Sequence, residues 1–380
     1  MVNKSETAPT SVLLLEFDPA IDDAKQGKAL HTGLSVALQI GNSLWVANDE
    51  TVCLERLTLT PAVGSGTYVF GRNHKRFRLD DYLKLPVPST EDPPEFQEID
   101  IEGLAYEGGY LWLTGSHSIK RKKPGSGKTT KQMRKQLTKL SAEANRYLLA
   151  RVPVVERDGQ HELVKETTVK GKSYTAAQLQ AVGDENELMV ALKNDEHLAA
   201  FLAIPGKENG FDIEGLAVSG SKIFLGLRGP VLRGWAVILE IALTESKETP
   251  SLLALKPVGT DGRLYKKHFL NLQGLGIRDL CMQGADLLIL AGPTMDLDGP
   301  VAIYRWKNGI HSEEESVLDA PQLEQIASLP FGVGMDHAEG MCLYAPDGGK
   351  AHSLLVVHDA AAPSRQVGAN GLTADVFTLI

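Results

Sequence analysis

The sequence predicts an all-β fold of repeated four-stranded sheets. Three observations carry that prediction: a repeated hairpin, further strand-like runs after most copies of it, and strand-like segments near both ends of the chain. Five segments share one layout: LSVALQIGNSLWVANDE from Leu34, IEGLAYEGGYLWLTGSHS from Ile101, IEGLAVSGSKIFLGLRGP from Ile213, IRDLCMQGADLLILAGPT from Ile277 and AEGMCLYAPDGGKAHSLLVVHDA from Ala338. Each has a short apolar strand, a turn rich in Gly, Asn, Asp or Ser, and a second, strongly apolar strand, which is a hairpin signal. Four of them share one internal length, and the fifth needs a longer turn around PDGGK.

The runs TVCLERLTL, YLLARVPVV with HELVKETTV, WAVILEIAL and VAIYRW bring the units toward four strands each. Sheets of four strands repeating every ~60 to 110 residues are the pattern of a β-propeller, whose blades surround a central channel. A propeller must close its ring. SVLLLEF and GLTADVFTLI fit that role, so residues 10–17 and 371–380 are expected to complete the last blade and residues 1–380 to form a single domain. Five blades are visible, and a degenerate sixth is compatible with the spacing.

Two segments break the repeat. Residues 173–203 have helix-forming composition, with Leu188, Ala191 and Leu192 at helical spacing and Asn194 as a cap for the following turns, which predicts a helical insertion. Residues 120–141 form a basic insertion within the second unit: Lys120 to Lys139 carries nine Lys or Arg and no acid, and KQMRKQLTKLSAEAN reads as a helix. Its GSGKTT has the tail of a Walker A motif, but Lys122 stands where the opening glycine is needed, and Pro124 has no N–H to give a phosphate. The segment is expected to be a solvated basic loop, or a flap that draws anionic ligands to the site below it.

Composition narrows the function classes. The 380-residue chain is 43% hydrophobic and carries a net charge of −9, which gives no general attraction to nucleic acid. No apolar stretch approaches the ~18 residues of a membrane span, and Val12–Leu15 is too short for a signal-peptide core. Three scattered cysteines form no disulfide framework, so a cytoplasmic location is expected.

In a propeller the innermost strands begin on one face beside the channel, and the ends of their hairpin partners lie at the same edge. That face collects Ser35, Glu102, Glu214, Arg278 and Glu339 from the first strands, and Asp49, Ser116, Arg228, Gly292 and His358 from the second. Asp100, Asp212, His337, Glu50, His117 and Asp359 flank them. Converging glutamates repel unless a proton, a cation or the arginines neutralise them. Oxygen ligands from Glu102, Glu214, Glu339 and Asp49 suit a divalent cation, Ca²⁺ or Mg²⁺, with Zn²⁺ or Mn²⁺ favoured if His117 or His358 also binds. Arg228 and Arg278 are placed to hold an anionic substrate, and His117 or His358 to transfer protons. The structural alternative is that Glu–Arg pairs only lock neighbouring blades together.

The run KENGFDIEGLAVSGSKIFLGLRGPVLRGWAVILEI, with LWLTGSHS and RYLLARVP, resembles the bacterial family numbered 3616 among domains of unknown function, over most of the chain. More distantly, the IEGLA repeats resemble propellers of the phytase-like esterase group, which is associated with phosphoester or ester hydrolysis. The resemblance implies a propeller and brings no activity from the closer family. Ser35 and Arg278–Asp279 depart from the Glu–Gly pattern, which breaks the symmetry of a metal ring. The expected function is a metal-assisted hydrolase of an anionic small molecule, a phosphoester or ester. The alternative is a non-catalytic propeller that binds a ligand or a protein partner through the basic loop and channel mouth.

Overall fold

The computed structural model describes residues 6–23, 28–61, 68–87, 97–259, 261–346 and 351–379. Its architecture is mostly β and propeller-like. Each repeat folds as an antiparallel hairpin: Leu34–Ile40 with Ser43–Asn48, Ile101–Glu107 with Tyr110–Gly115, Asp212–Ser219 with Lys222–Gly229, Gly276–Gln283 with Asp286–Gly292, and His337–Tyr344 with Ser353–Asp359. The first strands touch one another in cyclic order, with Leu34–Ile40 packed against both Ile101–Glu107 and His337–Tyr344. Further strands continue each sheet outward. In the last sheet Ser11–Glu16 runs antiparallel along Gly371–Thr378, from Ser11↔Val376 to Glu16↔Gly371. Short parallel pairings such as Leu14↔Val69 and Gln178↔Leu252 join the outer strands of neighbouring sheets.

The core is divided among the interfaces between neighbouring sheets. Leu287 and Ile289 pack with Ala217 and Phe224 of the preceding unit, while Leu288 and Leu290 face Met341 and Leu354 of the next. Trp45 and Ala47 likewise face Leu104 and Leu111, while Leu44 and Val46 face Cys342 and Leu355. Successive residues of a strand point to opposite faces, and here both faces are covered. That is why the second strands read as continuous apolar runs rather than alternating ones.

Three glycines let the first strands close on one another. A Cβ on Gly103 would lie 2.6 Å from Leu216 Cβ, on Gly215 2.7 Å from Leu280 Cγ, and on Gly340 2.7 Å from the Val36 Cα. Each therefore follows its glutamate because the next inner strand leaves no room for a side chain.

The basic insertion is tied at its base by Lys120↔Ser141 and Arg121↔Leu140. It carries helix α1, Thr130–Leu137, capped by Thr129: Thr129 Oγ1 accepts from the Gln132 N–H, and Gln132 Oε1 accepts from the Thr129 N–H. The end of GSGKTT is thus a helix cap.

The expected helical insertion over 173–203 is corrected. Its α-helix is confined to α2, Glu187–Leu192, capped by Asn186, followed by a short 3₁₀ turn at Ala199–Phe201. Lys172–Thr175 pairs with Glu166–Val169, and Ala177–Leu179 is a fully buried strand between the Leu149 and Leu252 strands. Burial and ladder bonds on both edges outweigh the modest helix preference of Ala, Gln and Leu. The turn after α2 is capped by Asp195, whose Oδ1 accepts from the His197 and Leu198 N–H groups, not by Asn194. The longer turn of the fifth hairpin, at 347–350, lies outside the described residues.

Replacing Gly340 by alanine is expected to destabilise the fold by ~1–3 kcal/mol, because the added methyl meets the Val36 backbone and the Val357 side chain at 2.8 Å. Urea unfolding checks this, and a variant as stable as the wild type would contradict the close packing of the ring.

Candidate functional site

All five hairpins carry a β-bulge at the same place. The register slips between Leu34 and Val36, Ile101 and Gly103, Ile213 and Gly215, Ile277 and Asp279, and Ala338 and Gly340. The bulged residues are Ser35, Glu102, Glu214, Arg278 and Glu339. A bulge leaves its residue out of the ladder and re-aims its side chain. Five bulges at one level of a cyclic arrangement bring these side chains together at one end of the channel.

Glu214 lies between two arginines. Arg228 Nη1 donates to Glu214 Oε1 and Arg278 Nη1 to Glu214 Oε2, both at 2.7 Å. Arg278 Nη2 also lies 3.2 Å from Glu339 Oε1, so its guanidinium bridges the third and fifth units. Gly292 gives it room, since a Cβ there would come within 3.2 Å of Arg278 Cγ. Arg228 is fixed further by donating from Nε to the Thr294 carbonyl at 2.9 Å. Burial would push the Glu214 carboxyl up, but Arg228 and Arg278 overcome it and hold the group below the usual range. The Ser35 hydroxyl is engaged elsewhere, donating to the Ile101 carbonyl at 2.8 Å.

A second clamp lies beside the first. Arg146, buried just ahead of the third strand of its sheet, reaches Asp100 at 2.6 Å and Glu98 at 2.7 Å and donates to Ser118 Oγ at 2.9 Å. Lys120, at the base of the basic insertion, reaches Glu98 at 2.5 Å and Glu143 at 2.9 Å. Arg121 reaches Glu208 at 2.5 Å.

Asp49 and Glu102 have no hydrogen bond or ion pair among the described residues, yet both line a cavity of about 530 Å³ at this end of the channel. Burial raises both carboxyls well above the usual range. Asp100, Asp359 and Glu339 add to it at Asp49, and Glu214, Asp100 and Glu339 at Glu102. Glu339 is pushed up to about 7 by burial, with Arg278 opposing, and Asp212 up to about 8 by burial and Glu214. Lys122, Lys123 and Lys207 also line the cavity and have no ion pair among the described residues. Carboxyl groups and unpaired lysines thus line one cavity.

The structure brings Glu102, Glu214, Glu339, Asp49 and Arg228 to this cavity, with Arg278 behind Glu214 and Glu339. Among the described residues no three His, Cys, Asp or Glu side chains form a ready metal cage. The two arginines are bonded to carboxylates of the protein itself. Neither His117 nor His358 lines the cavity. His117 adopts a left-handed φ of 54°, and its ring lies under α2, where Nε2 accepts from Asn186 Nδ2 and Nδ1 donates to the Gly115 carbonyl. His358 Nε2 accepts from Arg365 at 3.3 Å and lies 3.5 Å from Asp375. Burial pushes both imidazoles down to about 4. Sequence reasoning missed Arg146, Glu98, Lys207 and Asp296. Glu98 and Asp100, four and two positions before the ring glutamate Glu102, were a signal that another cation was needed.

The family model described as "Protein of unknown function (DUF3616)" matches residues 33–375, and the chain belongs to that family. No curated protein matches the sequence. Among solved structures, the chain is similar to a glutaminyl cyclase from Myxococcus xanthus at 9% identity and a TM-score of 0.37, covering 97% of this chain and 99% of that one. It is also similar to the PQQ-bound aldose sugar dehydrogenase of Streptomyces coelicolor at 8% identity and a TM-score of 0.35, covering 97% and 100%.

A carboxyl with a raised native pKa keeps a proton that the unfolded chain has released, so it stabilises the fold below its unfolded pKa and loses that contribution as pH rises through the native value. In metal-free buffer, the unfolding free energy of wild type minus that of Glu339→Gln is expected to fall as pH rises from about 4.5 to about 7, by roughly 1 kcal/mol per pH unit. Taking the difference removes the opposite contribution of His117 and His358. A flat or rising difference in denaturant titrations would contradict the raised carboxyl that burial gives Glu339.

Proposed function

Because the family to which the chain belongs brings no reaction with it, we propose one from the site: the chain is a five-bladed β-propeller whose channel mouth takes up a divalent cation together with an anionic small molecule, a phosphoester or ester, and hydrolyses it. The blade number is supported by the five cyclically packed first strands and the core clusters between neighbouring units. The observation that carries the chemistry is the pair Asp49 and Glu102, carboxyls without an ion-pair partner among the described residues, in a cavity that Lys122, Lys123 and Lys207 also line. Two protein carboxylates with water and ligand oxygens filling the remaining positions suit Mg²⁺, which keeps several waters and is often held by one or two carboxylates plus a phosphate. Ca²⁺ asks for more protein oxygens than this pair supplies. Because no histidine lines the cavity, the reason for considering Zn²⁺ or Mn²⁺ falls away.

In this reading Asp49 and Glu102 would hold the cation, which when bound would supply polarisation of a phosphoryl or carbonyl oxygen and a water of lowered pKa. Lys122, Lys123 and Lys207 draw the anion in and orient it against the carboxylates. The role first assigned to Arg228 and Arg278 passes to these lysines, because the arginines are committed to Glu214 and Glu339. A carboxylate of raised pKa, Glu339, takes the proton of the attacking water, in place of His117 or His358. The new bond joins the water oxygen to phosphorus or carbon, the bond to the leaving oxygen breaks, and that oxygen receives the proton. The second reading, a non-catalytic propeller that binds a ligand or protein partner, is favoured by the absence of a histidine from the cavity.

Equilibrium dialysis with Mn²⁺ as a probe for Mg²⁺, followed by p-nitrophenyl phosphate and p-nitrophenyl acetate assays, tests the proposal. The wild type is expected to bind one equivalent and turn over one of the esters. Glu102→Gln is expected to lose at least ten-fold in metal affinity, with turnover falling in step. Absence of metal binding would overturn the reading; binding without turnover would leave the non-catalytic platform.

A further inference from the structure

Two unlike surfaces adjoin the mouth cavity. The first is the basic insertion, whose base reaches the cavity through Lys122, Lys123 and Leu137. Beyond the cavity it exposes Lys128, Lys131, Arg134, Lys135 and Lys139, none with an ion pair among the described residues, in a chain of net charge −9. The second surface belongs to the fourth and fifth units. Residues 293–300 follow the strand Asp286–Gly292, and residues 330–336 precede His337–Tyr344, so both loops leave the mouth end of their hairpins. Asp296 of the first loop lines the same cavity. These loops expose Met295, Leu297, Phe331, Val333 and Met335, with Leu297 59% and Val333 80% accessible.

The apolar tips are braced in this position. Asp298 Oδ1 accepts from the Gly334 N–H at 2.8 Å, and Leu297 and Phe331 line one small crevice. Arg228 ties the start of the first loop to the ring through the Thr294 carbonyl. The acids beside the tips are engaged: Asp298 also lies 3.2 Å from His337 Nε2, and Asp336 accepts from Arg365 at 2.8 Å. An exposed apolar patch of this kind marks an interaction surface. We propose that the mouth face docks on an anionic lipid bilayer, with the cations of the insertion on the headgroups and the apolar tips in the interfacial layer.

The pairing of the two surfaces selects the partner. Lysine is depleted where proteins meet proteins, and the unpaired cations of the insertion are mostly lysines. A nucleic acid or another soluble polyanion would engage those cations and leave the apolar tips in water. An anionic bilayer uses both, because its surface potential attracts a polybasic segment and its headgroup boundary accepts apolar side chains. Two such signals together give the attachment that either alone leaves marginal. The inference rests on neither the cation nor the reaction proposed for the cavity.

The test is co-sedimentation of the full chain with sucrose-loaded vesicles of phosphatidylcholine, with or without about 30% phosphatidylserine, at about 0.1 M salt. The wild type is expected to bind the phosphatidylserine vesicles roughly ten-fold more tightly, and to be released as salt rises to about 0.5 M. Lys128→Glu/Lys131→Glu/Lys135→Glu and Leu297→Ser/Val333→Ser are each expected to weaken binding roughly ten-fold, with melting temperatures unchanged because the replaced side chains are exposed. A wild type that does not distinguish the two vesicles would overturn the proposal. So would a Leu297→Ser/Val333→Ser protein that binds as tightly as the wild type, since the cations alone would then account for the attraction.

Discussion

Repulsion among carboxylates brought to one axis is the constraint on which this site depends. Five bulged hairpins impose the convergence, and the closure of the ring forbids the side chains from spreading apart. Burial raises the cost of every unpaired charge. The chain meets that cost unevenly. Glu214 receives two guanidiniums and stays ionised, and Asp100 and Glu98 receive Arg146. Asp49 and Glu102 receive no cation among the described residues, and their carboxyls are pushed well up. The unevenness separates the parts of the ring that hold the fold together from the parts left open to a ligand.

The same geometry explains the sequence around each glutamate. The glycine after Glu102, Glu214 and Glu339 is required because the next inner strand would meet a Cβ at 2.6–2.7 Å. Asp279 replaces that glycine in the fourth unit and has a use there: Oδ2 accepts from the Met341 N–H and Oδ1 from the Leu280 N–H, both at 2.7 Å, stitching the fourth unit to the fifth. The departure from the repeat at Arg278–Asp279 thus supplies a cation for the ring and a fastening between neighbours.

Much of this was legible in the sequence. Strand–turn–strand repeats located all five hairpins, and their alignment selected the five residues that occupy the bulges. What alignment could not supply was side-chain direction. His117 follows Ser116 in a left-handed conformation that carries its ring under α2, and His358 is engaged by Arg365, which reaches back from the short 3₁₀ turn that follows the fifth hairpin. The expected anion-binding arginines were placed at the right level, but pairing between Glu214 and two units cannot be read from one repeat at a time. Arg146 escaped notice because it lies in an irregular turn, where no repeat marks it. SYTAAQLQ looked helical because propensity is local, whereas its strand is set by partners at Ala150 and Leu252. The P-loop tail has a local explanation in the cap of α1.

The most direct test of the central claim is the anomalous difference density of a crystal soaked in Mn²⁺. The uneven neutralisation described above predicts a peak between the carboxylates of Asp49 and Glu102, with Arg278 still bridging Glu214 and Glu339. A peak on the axis with Arg278 displaced, or no peak at the mouth at saturating Mn²⁺, would contradict it.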